Sequence, residues 1–206
     1  MSKEIQVYKL NLLIKSESLS NIRRKYAPIV AKEVIKDLNL MGIHDAQLDF
    51  EFLSTSLNRF GADEIDFLFS ANKGNPLEKL NKVASGGELS RLMLSIKRVI
   101  GTKTSLPTIV FDEIDTGVSG EVAGQMGQLM KGMAEKIQVI TITHLPQIAA
   151  NGNAHFKVFK SNDDKETTSQ IKELNQESRI NEIAQMLSGL NISESARQNA
   201  IELINQ

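Results

Sequence analysis

Three short segments carry residue types suited to holding a phosphate and activating water. The first is Ser85-Gly86-Gly87-Glu88-Leu89-Ser90-Arg91, at the head of an amphipathic run. Free N–H groups at a helix start point outward with the positive end of the dipole. Glycine lets a phosphate approach such a backbone closely, and a serine hydroxyl adds a donor. An ordinary helix start fits too: Ser85 caps, Glu88 follows three residues on, and the two form a capping box. The second segment is Thr108-Ile109-Val110-Phe111-Asp112-Glu113, an apolar run ending in two acids. Ligands of open α/β sheets bind at that end of a strand. There Asp112 can hold Mg²⁺ and Glu113 can polarise an attacking water. A strand ending in solvated acids is the plain alternative. The third is His144, placed directly after Gln138-Val139-Ile140-Thr141-Ile142-Thr143. A histidine at a strand end can hydrogen-bond a γ-phosphate or a water, or can have no ligand at all. Order and spacing join the three. A glycine-serine helix start precedes a strand ending in Asp-Glu, and about 30 residues later a second strand ends in histidine.

The elements that must carry these residues follow from hydrophobic period. Leu19, Ile22, Tyr26, Ile29, Val30, Val34, Leu38 and Met41 recur at steps of three and four, which predicts a helix over about 17–41. Pro28 should kink or restart it, Gly42 should stop it, and the first dozen residues are ambiguous. Leu48, Phe50 and Phe52 alternate, as do Ile65, Phe67 and Phe69, giving two half-buried strands. Asn72 to Pro76 reads as a turn or loop. A helix from near Gly87 should turn Leu89, Leu92, Met93, Ile96 and Ile100 inward. A second helix, from Val118 to about Glu135, should bury Val122, Met126, Leu129, Met130 and Met133. Strand, helix, strand at this spacing predicts a parallel sheet covered by helices. His155 to Lys160 and Thr168 to Leu174 read as a closing strand pair around a turn at Ser161-Asn162-Asp163-Asp164. The tail from Ser178 reads as two short helices split near Gly189.

Composition narrows the function classes. The chain has 206 residues and a formal charge of -1, so no bulk electrostatic grip on nucleic acid is visible. It has no cysteine, which removes disulfides, thiol catalysis and cysteine-bound zinc. His44, His144 and His155 lack the spacing of metal ligands. No run approaches the roughly 18–20 apolar residues of a membrane span, and the N-terminus lacks the apolar core of a signal peptide. The expected location is the cytoplasm, with nucleoid association a further option.

With these motifs in place, the sequence resembles the C-terminal part of ABC ATPase heads, especially the SMC-like ones. SGGE looks like their signature motif, IVFDE like Walker B, and Thr143-His144 like the switch-histidine region. Closer still, ASGGELSRLMLSIK, VFDEIDTGVSG and ITHLPQIAA are similar to the RecN family, bacterial SMC-like proteins of DNA double-strand break repair. The resemblance implies an α/β fold. It would be the C-terminal part of an ABC-type (P-loop NTPase) head, with a mainly parallel sheet flanked by helices. Residues 1–42 would be a helical segment ending a coiled-coil arm, a packed head helix being the alternative, and 43–206 the head lobe. The implied cofactors are ATP and Mg²⁺. Asp112 would position the metal, Glu113 would be the catalytic carboxylate, and His144 would sense the γ-phosphate. Ser85, Gly86, Gly87 and Glu88 would meet ATP held by a second head. Asp115-Thr116-Gly117-Val118-Ser119 lies where the D-loop falls, with Ser119 where many ABC proteins have aspartate.

A complete site of this kind also needs a P-loop, G-x-x-x-x-G-K-[ST]. No Gly-Lys pair occurs in the sequence. The glycines Gly117, Gly120, Gly124 and Gly127 lack a lysine and suit close helix packing instead. The expected partners are a P-loop-bearing N-terminal half of the same head and a second RecN-like head. DNA is implied by the family alone, and no membrane is expected. The chain then reads as part of a head, inactive by itself. A non-catalytic, head-derived scaffold is the alternative, and the SMC-like context argues against a transporter ATPase. Lys73, Lys79, Lys82, Lys97, Arg98 and Lys103 flank the glycine motif as a DNA-facing patch or as ordinary solvated charges.

Overall fold

A computed structural model describes residues 3–82, 86–104, 106–163, 166–189 and 191–206. It divides into two compact units, one ending at Val99 and one beginning at Ile100.

The first unit opens on α1 (Lys3–Leu40), a 38-residue helix. It begins well before residue 17 and continues through Pro28, so neither a late start nor a restart at the proline is observed. The proline removes one backbone donor, and the turns on either side of it hold. Ile5, Tyr8 and Leu12 carry the three-and-four spacing of Leu19, Ile22, Tyr26 and Ile29 back toward the N-terminus, with Lys15 interrupting the series. All seven apolar residues are exposed. Ser16 is buried part-way along, and the last turns are embedded through Ala31, Val34, Asp37 and Leu38. Gly42 terminates the helix as expected, at φ 80°. Ile43 N–H donates to Leu38 O at 2.9 Å and Gly42 N–H to Asn39 O at 3.2 Å, the paired bonds of a Schellman end.

β1 (Gln47–Asn58) and β2 (Gly61–Ser70) form an antiparallel hairpin, and the short β3 (Glu78–Lys79) adds to β2. The two alternating apolar rows meet in register: Leu48 opposes Phe69, Phe50 opposes Phe67, and Phe52 opposes Ile65. Phe50 and Phe67 pack edge to face at 4.7 Å. The hairpin lies along α1. Asp63 Oδ2 accepts from Ser20 Oγ at 2.7 Å and from Arg23 Nη1 at 3.2 Å, and the Arg24 guanidinium stacks on Phe52.

α2 (Gly86–Lys103) follows a 3-10 turn at Leu80–Lys82. Leu92, Leu94, Ser95 and Val99 are its buried residues within the first unit, while Ile100 is exposed. Leu92 and Leu94 lie on opposite sides of the helix, so α2 is enclosed on two faces rather than on the single stripe expected. Asp37 of α1 accepts from Arg98 Nε. Burial raises the Asp37 carboxyl above its ordinary range, against the opposing pull of Arg98.

The second unit holds the βαβ element. β4 (Thr108–Asp112) and β5 (Gln138–Ile142) pair in parallel, joined through α3 (Gly120–Ala134). Phe111 is buried, and Met126, Met130 and Met133 of α3 are buried as expected. The opposite sheet face exposes Val110, Ile140 and Ile142. The short α4 (Pro146–Ala149) follows, then the antiparallel hairpin β6 (Phe156–Asp163) and β7 (Glu166–Glu173). Its strands continue through Ser161, Asn162 and Asp163, where a turn was expected, because their backbones stay in ladder register with Thr168, Thr167 and Glu166. Asp164 lies outside the described residues. α5 (Gln176–Ser188) and α6 (Glu194–Ile204) break at Gly189 and share a small core of Ala150, Ile183, Ala184, Ala196 and Ala200.

Candidate active site

Two parallel strands in register end together, and this places the candidate catalytic groups. Asp112 at the end of β4 is the partner of Ile142 at the end of β5, two residues before His144. Glu113 N–H donates to Ile142 O at 3.2 Å, so the ladder continues one residue past Asp112. Glu113 then turns into the left-handed region, φ 49°. Its carbonyl accepts from Thr116 N–H at 3.2 Å and from Thr116 Oγ1 at 2.8 Å. Asp112, Glu113 and His144 all have exposed side chains. They offer two hard oxygen ligands and an imidazole at one sheet end.

Asp115 differs from its neighbours: it is 1% exposed. Its Oδ2 accepts from Thr143 Oγ1 and lies 3.8 Å from His144 Nδ1. Thr143 Oγ1 in turn accepts from Leu145 N–H at 3.0 Å. Thr116, Gly117 and Ser119 are exposed and Val118 is half-buried. Val118 N–H closes the turn on Asp115 O at 3.2 Å, and Ser119 caps α3 without a side-chain hydrogen bond. Sequence reading had marked Asp115 only by location. Its link to Thr143 spans 28 residues, and no local period could have revealed it.

The glycine motif belongs to the first unit. Ser85 lies outside the described residues, so its capping box with Glu88 is not described either. Gly86 and Gly87 open α2, and a Cβ built on Gly86 would meet nothing within 4 Å among the described residues. That open backbone admits a phosphate. Arg91 fixes this helix start, donating to Gly87 O at 3.0 Å and to Met41 O at 2.8 Å. Burial lowers its pKa. Arg91 was read only as part of the motif, and its anchoring contact is 50 residues away in sequence.

Among the described residues no group of three or more His, Asp or Glu could hold a metal alone. Mg²⁺ needs only one or two carboxylates when phosphates supply further oxygens, so the donor set at Asp112 and Glu113 fits that ion. His155 stands apart before β6, its pKa lowered first by burial and then by Arg179. In the suggested basic patch, Lys79 is paired with Asp66 at 2.6 Å and Arg98 with Asp37. Neither is an uncommitted cation.

Comparison with known proteins gives the context. The chain is 33% identical to the DNA repair protein RecN of Bacillus subtilis over its whole length, and 36% identical to that of Vibrio cholerae over 99% of it. The chain belongs to the RecN family. It spans 38% and 37% of those two relatives and corresponds to the C-terminal head portion. No family model matches it. Among solved structures, the Smc head domain with a coiled coil and joint from Pyrococcus yayanosii aligns with 90% of the chain at TM-score 0.65 and 20% identity. An SMC ATPase chain aligns over 83% of this chain and 99% of its own length, at TM-score 0.54 and 16% identity. The fold is therefore that of SMC ATPase heads, an α/β arrangement with a parallel strand pair and a leading helix.

Proposed function

We propose that this chain supplies the signature, Walker B and switch-histidine part of a RecN-like ATPase acting in DNA double-strand break repair and recombination. The observation that carries the reading is the joint ending of β4 and β5, which sets Asp112 and Glu113 beside the Thr143-His144 segment. Asp112 would hold Mg²⁺, which when bound supplies charge stabilisation for the transferred phosphoryl group. Glu113 orients and deprotonates the attacking water. His144 senses the γ-phosphate and hydrogen-bonds the attacking water beside it. Gly86 and Gly87, with Ser85 and Glu88, receive the phosphates of a nucleotide held by a second head, and Asp115 to Ser119 form the D-loop region. ATP-driven dimerisation and DNA-stimulated activation are described for a structural neighbour among the SMC ATPases. We extend both to this chain.

Two unpartnered surfaces support completion by other polypeptide. Parallel strands are normally covered on both faces, yet Val110, Ile140 and Ile142 are exposed at 58%, 45% and 53%. A P-loop-bearing N-terminal half of the same head would cover them and bring the Gly-Lys pair this sequence lacks. The exposed Ile5-Tyr8-Leu12 and Leu19-Ile22-Tyr26-Ile29 series on α1 suits a second coiled-coil helix. By itself the chain would bind ATP weakly and turn it over negligibly. Among the described residues no helix is long and apolar enough to cross a membrane.

The test is co-expression with a P-loop-bearing N-terminal half. ATPase activity should appear, and Glu113→Gln should reduce it by about 10²–10⁴-fold while ATP binding persists. Turnover that survives Glu113→Gln, or fails to appear in the assembled head, overturns the reading.

A further inference from the structure

We propose that Asp115 is the positioning residue for His144: its buried carboxylate sets the ring orientation and tautomer that present Nε2 to the γ-phosphate side. The inference rests on the ATPase reading above and concerns how that site is held.

A carboxylate is not buried without cause. Asp115 has a side chain at 0% exposure, and withdrawing a charge from water is costly unless donors replace the solvent. One donor is present: Thr143 Oγ1 donates to Oδ2. The other oxygen, Oδ1, is buried and has no hydrogen-bond partner among the described residues. Oδ2, which accepts from Thr143, has a second lone pair and lies 3.8 Å from His144 Nδ1. That distance is too long for a hydrogen bond. The ring is 74% exposed, however, so a small rotation brings Nδ1–H onto the carboxylate.

Thr143 ties the backbone to the same anchor. Its hydroxyl donates to Asp115 and accepts from Leu145 N–H, so the residues on both sides of His144 are fixed by one oxygen. Asp115 is held in its own turn through Val118 N–H. The protonated nitrogen of a neutral histidine is decided by the partner of the other nitrogen. A carboxylate acceptor at Nδ1 leaves the Nε2 lone pair facing the γ-phosphate side, where it accepts a hydrogen bond from the attacking water. Asp115 touches neither substrate nor metal in this scheme. It acts through His144, and it joins the turn after Glu113 to the residue that meets the phosphate.

The test has a spectroscopic arm and a kinetic arm. ¹⁵N spectra of the 206-residue chain at alkaline pH, with His144 assigned by its loss in His144→Gln, should show the Nδ1–H tautomer. Asp115→Asn should convert it to Nε2–H. In the head assembled with its P-loop half, Asp115→Asn should lower kcat by about 10–100-fold with KM for ATP changed less than about threefold. Thr143→Ser should retain tautomer and rate, and Thr143→Val should follow Asp115→Asn, which covers the case in which Asp115→Asn does not fold. An Nε2–H ring in the unmodified chain overturns the proposal. So does a tautomer indifferent to Asp115→Asn, or a loss confined to KM. Turnover surviving Glu113→Gln would sink the ATPase reading instead and leave the tautomer result standing.

Discussion

Replacing Glu113 by glycine should stabilise the second unit relative to replacing it by glutamine, although both remove the proposed catalytic carboxylate. Glu113 has φ 49° and is the one non-glycine residue at positive φ among those described. For an L-residue that conformation costs about 1–2 kcal/mol. The strain cannot relax locally, because Glu113 N–H is tied to Ile142 O at 3.2 Å and its carbonyl to Thr116 at 3.2 and 2.8 Å. Glutamine inherits the strain and glycine does not. Glycine adds back about 0.5–1 kcal/mol of unfolded-state entropy. The side chain is exposed, so little packing is lost. The net expectation is that Glu113→Gly exceeds Glu113→Gln by about 0.5–1 kcal/mol, or roughly 1–4 °C in Tm. At an unstrained exposed position the same exchange runs the other way by a similar amount. Urea unfolding followed by far-ultraviolet circular dichroism compares the two variants directly. If the glycine variant proves less stable by about 0.5 kcal/mol or more, the backbone at residue 113 is not strained.

Two further perturbations address the first unit. Gly42→Ala places a Cβ at φ 80° in the Schellman end of α1 and should cost about 1 kcal/mol in urea unfolding; an unchanged midpoint would show that the helix does not end as described. Asp37 has its folded pKa raised, primarily by burial, above the ordinary carboxylate value of 3.8. A raised pKa contributes stability that is present below the unfolded value and lost as pH rises through the folded one. Asp37→Asn, which cannot ionise, should therefore gain stability over the parent as pH climbs from about 4 toward neutrality. A difference between the two that stays constant over that range would remove burial as the dominant influence on Asp37.

What the sequence made legible was local and periodic. Phe50 and Phe67 were placed on alternating rows, and those rows face each other in register. Gly42 ends α1 and Gly189 separates α5 from α6, because each marks a boundary that hydrophobic spacing had already suggested. The start of α1 was hidden for a physical reason. Its seam of Ile5, Tyr8 and Leu12 is interrupted by Lys15 and faces solvent, so period and burial do not coincide. Ser161 to Asp163 looked like a turn by composition, yet ladder pairing keeps them extended. At the site, Asp112, Glu113 and His144 were legible as strand ends. The Asp115–Thr143 hydrogen bond was not, since it depends on the register of β4 against β5, which no short-range pattern fixes.

Those strand ends also explain why the candidate catalytic groups tolerate exposure. Asp112, Glu113 and His144 remain in water, so the chain does not bear the cost of burying their polar groups before phosphate and metal arrive. The buried member is Asp115, which accepts from Thr143 in the segment just before His144. Precision is thus stored in backbone and anchor: the parallel register, the left-handed turn at Glu113 and the Thr143 hydroxyl. In the proposed assembly the candidate groups would meet low dielectric only once other polypeptide closed over Val110, Ile140 and Ile142 and a second head brought its face to the nucleotide. Electrostatic stabilisation strengthens as water is excluded. An open, preorganised half-site of this kind would make hydrolysis conditional on assembly without any separate inhibitory element.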